Sequence, residues 1–380
     1  MDEQIEKKAL RRGHIRTLTA IIVSIALIAV AILLFAYRDY ISSEGLRGLF
    51  SSGGGQVSLE NEAFTYEAGS GQVFAPVGSG LAVASGSGLQ LLDSDGYTVA
   101  RDVYAMSTPA VASCSSYAVF YDIGGTSVKA ATLSGKVIDL ASEQPVISVT
   151  VNSSGWMAIS AEESGYKGSV TVYDPSLTPV YKWSVGSGYL LSACVSPDGE
   201  KLAAVCAAAE GGVIHFFELS DESEVGTYSA SDCLLLDARW LSGSRLCALS
   251  ESGAVFLDGS GELSSEYPFD GSYLAAYDWG GDYTALLLSK YRSGSSGALV
   301  TLGSDGRQLG TCDISRDLTS LSANGNGVLA FFSNELVLYS TSLNKTASLE
   351  TSLGAKSAVL RSGGSVLLLS SYSAELYRFK

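Results

Sequence analysis

From about residue 60 to its end, the chain is a succession of apolar runs, four to seven residues long, separated by Gly, Ser, Asp and Asn. None of these stretches keeps a helical period. Short runs bounded by turn residues predict many antiparallel strands. One unit recurs, a small-residue turn followed by an apolar run. The turns centre near Ser79, Ser116, Ser154, Asp198, Gly243, Gly281, Gly325 and Gly363, and successive gaps are 37, 38, 44, 45, 38, 44 and 38 residues. Six of the eight runs end in Ser, namely Ser85, Ser160, Ser250, Ser289, Ser333 and Ser370. Each run is preceded by one apolar strand and followed by two more. Blade three shows all four, at Val146 to Val151, Trp156 to Ser160, Ser169 to Tyr173 and Val180 to Val185.

A period of about 40 residues with four strands per unit is the arithmetic of a β-propeller. The continuous apolar character of the second strands fits sheets covered on both faces. The expected fold is therefore all-β, an eight-bladed propeller, with seven blades if residues 318–350 distort and a pair of β-sandwiches as the rival architecture. The last unit offers three strands, Ala358 to Arg361, Ser365 to Ser370 and Ala374 to Phe379. The orphan run Ala63 to Glu67 supplies the fourth and closes the ring, which removes its open edge.

The amino-terminal segment has a different pattern. Thr17 to Tyr37 is a run of 21 residues without a charge, long enough as a helix to cross a hydrocarbon core of roughly 30 Å. Lys7, Lys8, Arg11, Arg12 and Arg16 precede it, and only Arg38 and Arg47 follow closely. The positive-inside rule then puts the amino terminus in the cytoplasm and the rest outside. The run exceeds the apolar core of a cleaved signal peptide, about 7–15 residues. The expected organisation is a cytoplasmic tail at 1–16, a transmembrane helix at 17–37, a flexible linker at 38–58 and an extracytoplasmic propeller at 59–380.

Charge narrows the partners. The 380 residues carry 24 Lys+Arg, 39 Asp+Glu and two His, a formal charge of −15. From residue 48 onward 17 basic and 34 acidic residues leave a net of −17. Such a field excludes nucleic acid, whose phosphates require a basic surface, and keeps the domain off anionic lipid.

Two stretches carry a resemblance. Val195-Ser196-Pro197-Asp198-Gly199-Glu200-Lys201-Leu202-Ala203 resembles the SPDG hairpin of WD40-like and TolB-type propellers. Val172-Tyr173-Asp174-Pro175, continuing to Tyr181-Lys182-Trp183, is similar to a strand pair of PQQ-like repeats. Both motifs specify a blade and imply no activity. The whole layout resembles a family of uncharacterised, membrane-anchored propeller proteins from Gram-positive anaerobes, a family that lends no functional residues.

Candidate chemistry is sparse. Asp93-Ser94-Asp95-Gly96 opens like a calcium loop, but its twelfth position is Tyr104, where a bidentate Glu is required. A hairpin turn, for which Asp-Gly is favoured, is the simpler reading, as it is for Gly303-Ser304-Asp305-Gly306. His215, alone outside the membrane, reads as a packed residue, since a triad needs a base beside its nucleophile. Glu162 and Glu163 read as solvated charge. The six cysteines, Cys114, Cys194, Cys206, Cys233, Cys247 and Cys312, lie mostly in apolar runs, where free Cys behaves as a small hydrophobe. A disulfide around the Pro197–Lys201 turn is disfavoured because Cys194 falls opposite Ala203 and Cys206 opposite Leu191. No cofactor, metal or catalytic residue is expected.

The remaining signal is loop length. Second-to-third loops read as long in blade three (162–168), blade four (207–212) and blade six (290–297). They carry Tyr166, Lys167, Glu210, Lys290, Tyr291 and Arg292 as candidate partner-binding residues, since long loops on a rigid scaffold tend to hold function. The expected role is a non-catalytic binding scaffold for an envelope protein or glycan. An exterior enzyme acting on envelope glycans and a sensor with a membrane partner are the alternatives.

Overall fold

The computed structural model describes residues 57–379, apart from 141, 222, 293–295, 326 and 352–353. The tail at 1–16, the helix at 17–37 and the linker up to residue 56 lie outside the described residues. Among the described residues no helix is long and apolar enough to cross a membrane.

These residues form eight four-stranded antiparallel sheets. In seven of them the strands follow chain order from the first, innermost strand to the fourth, outermost one. First strands of neighbouring blades face one another around the central channel, blade one (Val73–Val77) meeting blade two (Pro109–Ser113) on one side and blade eight (Ser357–Leu360) on the other. Residues 318–350 make a full blade seven, from Leu318–Asn324 to Lys345–Glu350, so the count is eight. Blade three falls where the pattern put it, with strands Val146–Val151, Met157–Ala161, Ser169–Tyr173 and Pro179–Ser184.

Closure occurs in blade eight, where the amino-terminal strand Val57–Thr65 pairs with Ser373–Phe379, from Val57 opposite Phe379 to Thr65 opposite Ser373. This strand begins inside the stretch read as linker. Its apolar positions slip at a bulge between Glu60 and Ala63, which hides the alternation in the sequence. The Tyr66 hydroxyl fastens the join by donating to the Ser370 and Ser373 carbonyls at 2.9 and 2.7 Å. From blade eight back to blade one, Ser362 Oγ donates to Gly78 O at 3.0 Å.

Burial explains the apolar pattern. Second strands such as Gly80–Ser85, Tyr117–Asp122 and Tyr283–Ser289 are buried at every position, because each lies mid-sheet between two neighbouring blades. The fourth strand of blade four, Ser223–Ser231, has no buried position and reads as polar alternation. Each fully buried Leu, Val or Phe contributes about 1.5–3 kcal/mol. Polar latches also join neighbouring blades. Thr150 Oγ1 donates to Ala193 O at 2.6 Å, Tyr117 OH to Gly155 O at 2.8 Å and Asn324 Nδ2 to Leu360 O at 3.1 Å, each joining one blade to the next.

The recurrent serine also has a cause. In blades five and eight the Ser250 and Ser370 hydroxyls donate to the carbonyl three residues on and accept its amide, at 2.8–3.1 Å. Ser85 accepts the Ser87 amide in blade one. The hydroxyl thus stands in for a backbone partner in a tight second-to-third turn.

All six cysteines are free, four of them buried. Cys194 lies opposite Ala203 as expected, but Cys206 faces Leu190 rather than Leu191, because a bulge follows Leu190. Burial pushes the Cys194 and Cys206 thiols up to about 12, so they stay protonated and unreactive.

Candidate functional site

The up-and-down course of each blade gives the ring two unlike ends. One end collects the first-to-second and third-to-fourth turns. The other collects the second-to-third turns and the links between blades.

The turn end is spent on its own backbone. Asp93 Oδ1 accepts the Asp95 and Tyr97 amides at 3.0 and 2.9 Å. Asp174 and Asp258 repeat that bonding to the residues two and four ahead, and Asp305 accepts the Arg307 amide. The Asp-Gly sequences are hairpin turns. In the SPDG hairpin Gly199 takes φ +77°, and a Cβ there would collide with the Trp156 ring of blade three.

The loop end is different. It bears most of the large exposed apolar side chains: Tyr166, Tyr189, Tyr273, Tyr291 and Tyr372, with Val103, Leu234 and Leu236. Tyr291 and Tyr372 are each 66 % exposed. On the turn end Tyr97 is the one exposed tyrosine among the described residues. Exposed tyrosine on a rigid frame supplies contact area at low entropic cost.

Of the candidate residues, Tyr166 and Lys167 lie in the long loop of blade three, next to Tyr189 at the start of blade four. Lys167 Nζ sits 4.8 Å over the Tyr189 ring. Lys290, Tyr291 and Arg292 lie in the long loop of blade six, three blades further round the ring, where Arg292 stands 5.9 Å over the Tyr273 ring. Glu210 is exposed at the same end, but its loop is not long. The strands Lys201–Ala208 and Gly211–Glu218 leave only Ala209 and Glu210 between them. Small residues extend the ladder through Ala207–Gly212 and Ala208–Gly211, where the sequence reads as a loop. Tyr189, Tyr273, Leu236 and Arg316 were missed. Their signal is position: Tyr189 and Tyr273 each follow a Gly/Ser link directly, at the mouth of a first strand.

Blade six is the most open part of this end. Its first strand, Tyr273–Trp279, has no buried position, and it approaches the first strand of blade five, Leu235–Ser242, closely at fewer places than any other neighbouring pair of first strands does. Below the gap, Asp237 Oδ2 accepts Trp279 Nε1–H at 3.0 Å and the Tyr277 hydroxyl at 3.4 Å. A cavity of about 340 Å³ is lined by Leu236 of blade five, by Leu274, Ala275, Ala276 and Tyr277 of blade six and by Leu321 of blade seven. A second cavity of about 200 Å³ opens between blades six and seven, where Arg292 and Arg316 line it with Leu287 and Ile314. Ala275 and Ala276 border both cavities.

Catalytic groupings do not assemble among the described residues. His215 bonds Glu224 Oε1 through Nδ1 at 2.8 Å and packs 5.2 Å from the Trp183 ring. Glu163 is not free charge but pairs with Lys182 at 2.8 Å, whose ammonium lowers its carboxyl pKa. No three His, Cys, Asp or Glu side chains are placed to hold a metal ion among the described residues. Asp278 accepts the Ala323 and Trp279 amides at 2.7 and 2.9 Å. Burial pushes its carboxyl up to about 6, although both amides and Arg239 oppose the shift.

Residues 57–371 match the model of a family of unknown function (DUF5711). No curated protein matches the sequence. Among solved structures the chain is similar to the C-terminal WD40 domain of Sif2, at 11 % identity, over 87 % of this chain and 100 % of that one, with a TM-score of 0.59. It is also similar to BamB from Moraxella catarrhalis, at 13 % identity, over 85 % and 100 % of the two chains, with a TM-score of 0.53. The β-propeller domain of Cps50 (Swd1) from Myceliophteria thermophila matches at 10 % identity, over 85 % and 99 %, with a TM-score of 0.52. Identities this low establish the propeller fold alone.

Proposed function

We propose that this chain, which belongs to the family of unknown function (DUF5711), is a membrane-anchored, non-catalytic binding scaffold. It holds its propeller outside the cell and engages an envelope protein or glycan through the loop end of the ring. The observation that carries this reading is the asymmetry of the two ends. Exposed tyrosines gather on one, while turn aspartates on the other are consumed by backbone amides. The chain enters the ring at Val57, on the turn end, opposite the end that bears most of the exposed tyrosines. The apolar span at 17–37 and its basic flank support the anchor and its orientation.

The test is crosslinking of the full chain in cells with identification of neighbours, together with protease protection of the propeller. A reproducible envelope partner and a protease-accessible exterior propeller are expected. Turnover of an envelope glycan by the full chain would contradict the non-catalytic reading, and a protected propeller would contradict the topology.

A further inference from the structure

The two cavities flanking the first strand of blade six differ from the rest of the loop end in chemistry. The larger offers one polar side-chain atom, the Tyr277 hydroxyl, and that hydroxyl is directed at Asp237. Its other lining side chains are Leu or Ala. A sugar ring there would find its one polar side chain already engaged and only the free backbone edges of the first strands for its hydroxyls, and each hydroxyl left unpaired costs about 1–3 kcal/mol on protein mutational scales. An aliphatic side chain would lose nothing and gain roughly 25 cal/mol for each Å² removed from water.

The rim beside it carries cations. The smaller cavity is lined by Arg292 and Arg316, in a chain whose net charge is −15. Arg316 is held by Glu335 at 2.6 Å and lies 4.0 Å over the Phe332 ring, so its position is set in advance. Asp317 also lines this cavity and Glu335 neutralises Arg316, so Arg292 is the cation left to meet a partner's carboxylate. Arg292 is exposed and lies over the Tyr273 ring. A guanidinium on an aromatic face keeps its N–H fork available for a carboxylate.

We infer that the blade-six slot takes an extended, acidic segment of a protein partner, with an aliphatic side chain in the larger cavity, lined by the first strands of blades five, six and seven, and a carboxylate on Arg292. The assignment rests on the loop end being the binding surface, and it selects protein over glycan as the occupant of this slot. Ala275 and Ala276 are small enough to let such a segment lie across the first strand and reach both cavities. The open seam between blades five and six gives the aliphatic group its entry.

The test is selection of a displayed random-heptapeptide library on the full chain in detergent, with envelope oligosaccharides assayed in parallel. Enriched peptides should pair Leu, Ile or Val with Asp or Glu. Their affinity should fall about tenfold or more in Leu236→Arg and in Arg292→Glu, as for central interface anchors, and should not change in Tyr97→Ala on the turn end. Both substituted residues are exposed, so the fold tolerates the changes, and the denaturation midpoint of each variant checks that. Enriched peptides that lack acidic residues, or that ignore both substitutions, overturn the assignment. If those peptides instead depend on Tyr166 and Tyr189, the binding-surface reading survives without it. Oligosaccharide binding abolished by Leu236→Arg overturns it in favour of a glycan.

Discussion

The two ends of the ring are built from the same strands yet use polar and aromatic residues in opposite ways. At the turn end, Asp93, Asp174 and Asp258 each bond the amides two and four residues ahead, and Gly199 tucks under Trp156. Side chains there complete the backbone. At the loop end, tyrosines stand in solvent and Arg292 rests on the Tyr273 ring. On the proposed function, stability and recognition are carried by different ends of the molecule, and substitutions should divide along the same line.

The largest effect is expected at the turn end. Gly199→Val combines φ +77° with a collision against Trp156. It should cost about 3 kcal/mol or more, from left-handed strain and overpacking together. Chemical denaturation of the full chain measures this, and an unchanged midpoint would break the comparison on its structural side.

Next comes the loop end. The double variant Tyr189→Ala, Tyr291→Ala should weaken partner binding by about 2 kcal/mol while stability stays within about 0.5 kcal/mol. Equal losses in both quantities would erase the distinction.

A smaller effect sits in the channel wall. The Asp278 carboxyl is raised by burial from its ordinary 3.8 to about 6. A raised folded value means that stability is fully present below pH 3.8 and is lost as the pH rises through about 6. The linkage limit is about 3 kcal/mol, and solvent reaching this half-buried residue brings it nearer about 1 kcal/mol. Asp278→Asn should therefore flatten the stability profile between about pH 4 and pH 7, as read from denaturation midpoints. A wild-type profile that climbs with pH in step with the variant would contradict the assignment.

Thiol chemistry should leave both ends untouched. Alkylation without reductant should label all six cysteines after denaturation, by intact mass. In the native chain the buried four should react far more slowly than Cys233 and Cys312. Fewer than six labels in the denatured chain would reveal a disulfide.

Much of the fold was legible because second strands buried on both faces must be continuously apolar, and their spacing counts the blades. The closing strand was seen late and too short. Its bulge at Glu60–Ala63 breaks the alternation that marks a strand. The blade-four loop was misread because Ala and Gly, which mark turns, here extend the ladder to Gly211. Tyr166, Tyr291 and Arg292 could be found from loop length. Leu236 could not, since a Leu within the Leu234–Leu236 run reads as core until the gap between two blades is known.

The central claim is that recognition belongs to the loop end. A photocrosslinking amino acid placed at Tyr189, at Tyr291 or, on the opposite end, at Tyr97 tests it directly in cells carrying the full chain. Crosslinks to one shared neighbour from positions 189 and 291, with none from 97, are predicted. A neighbour captured from 97 alone would contradict the account.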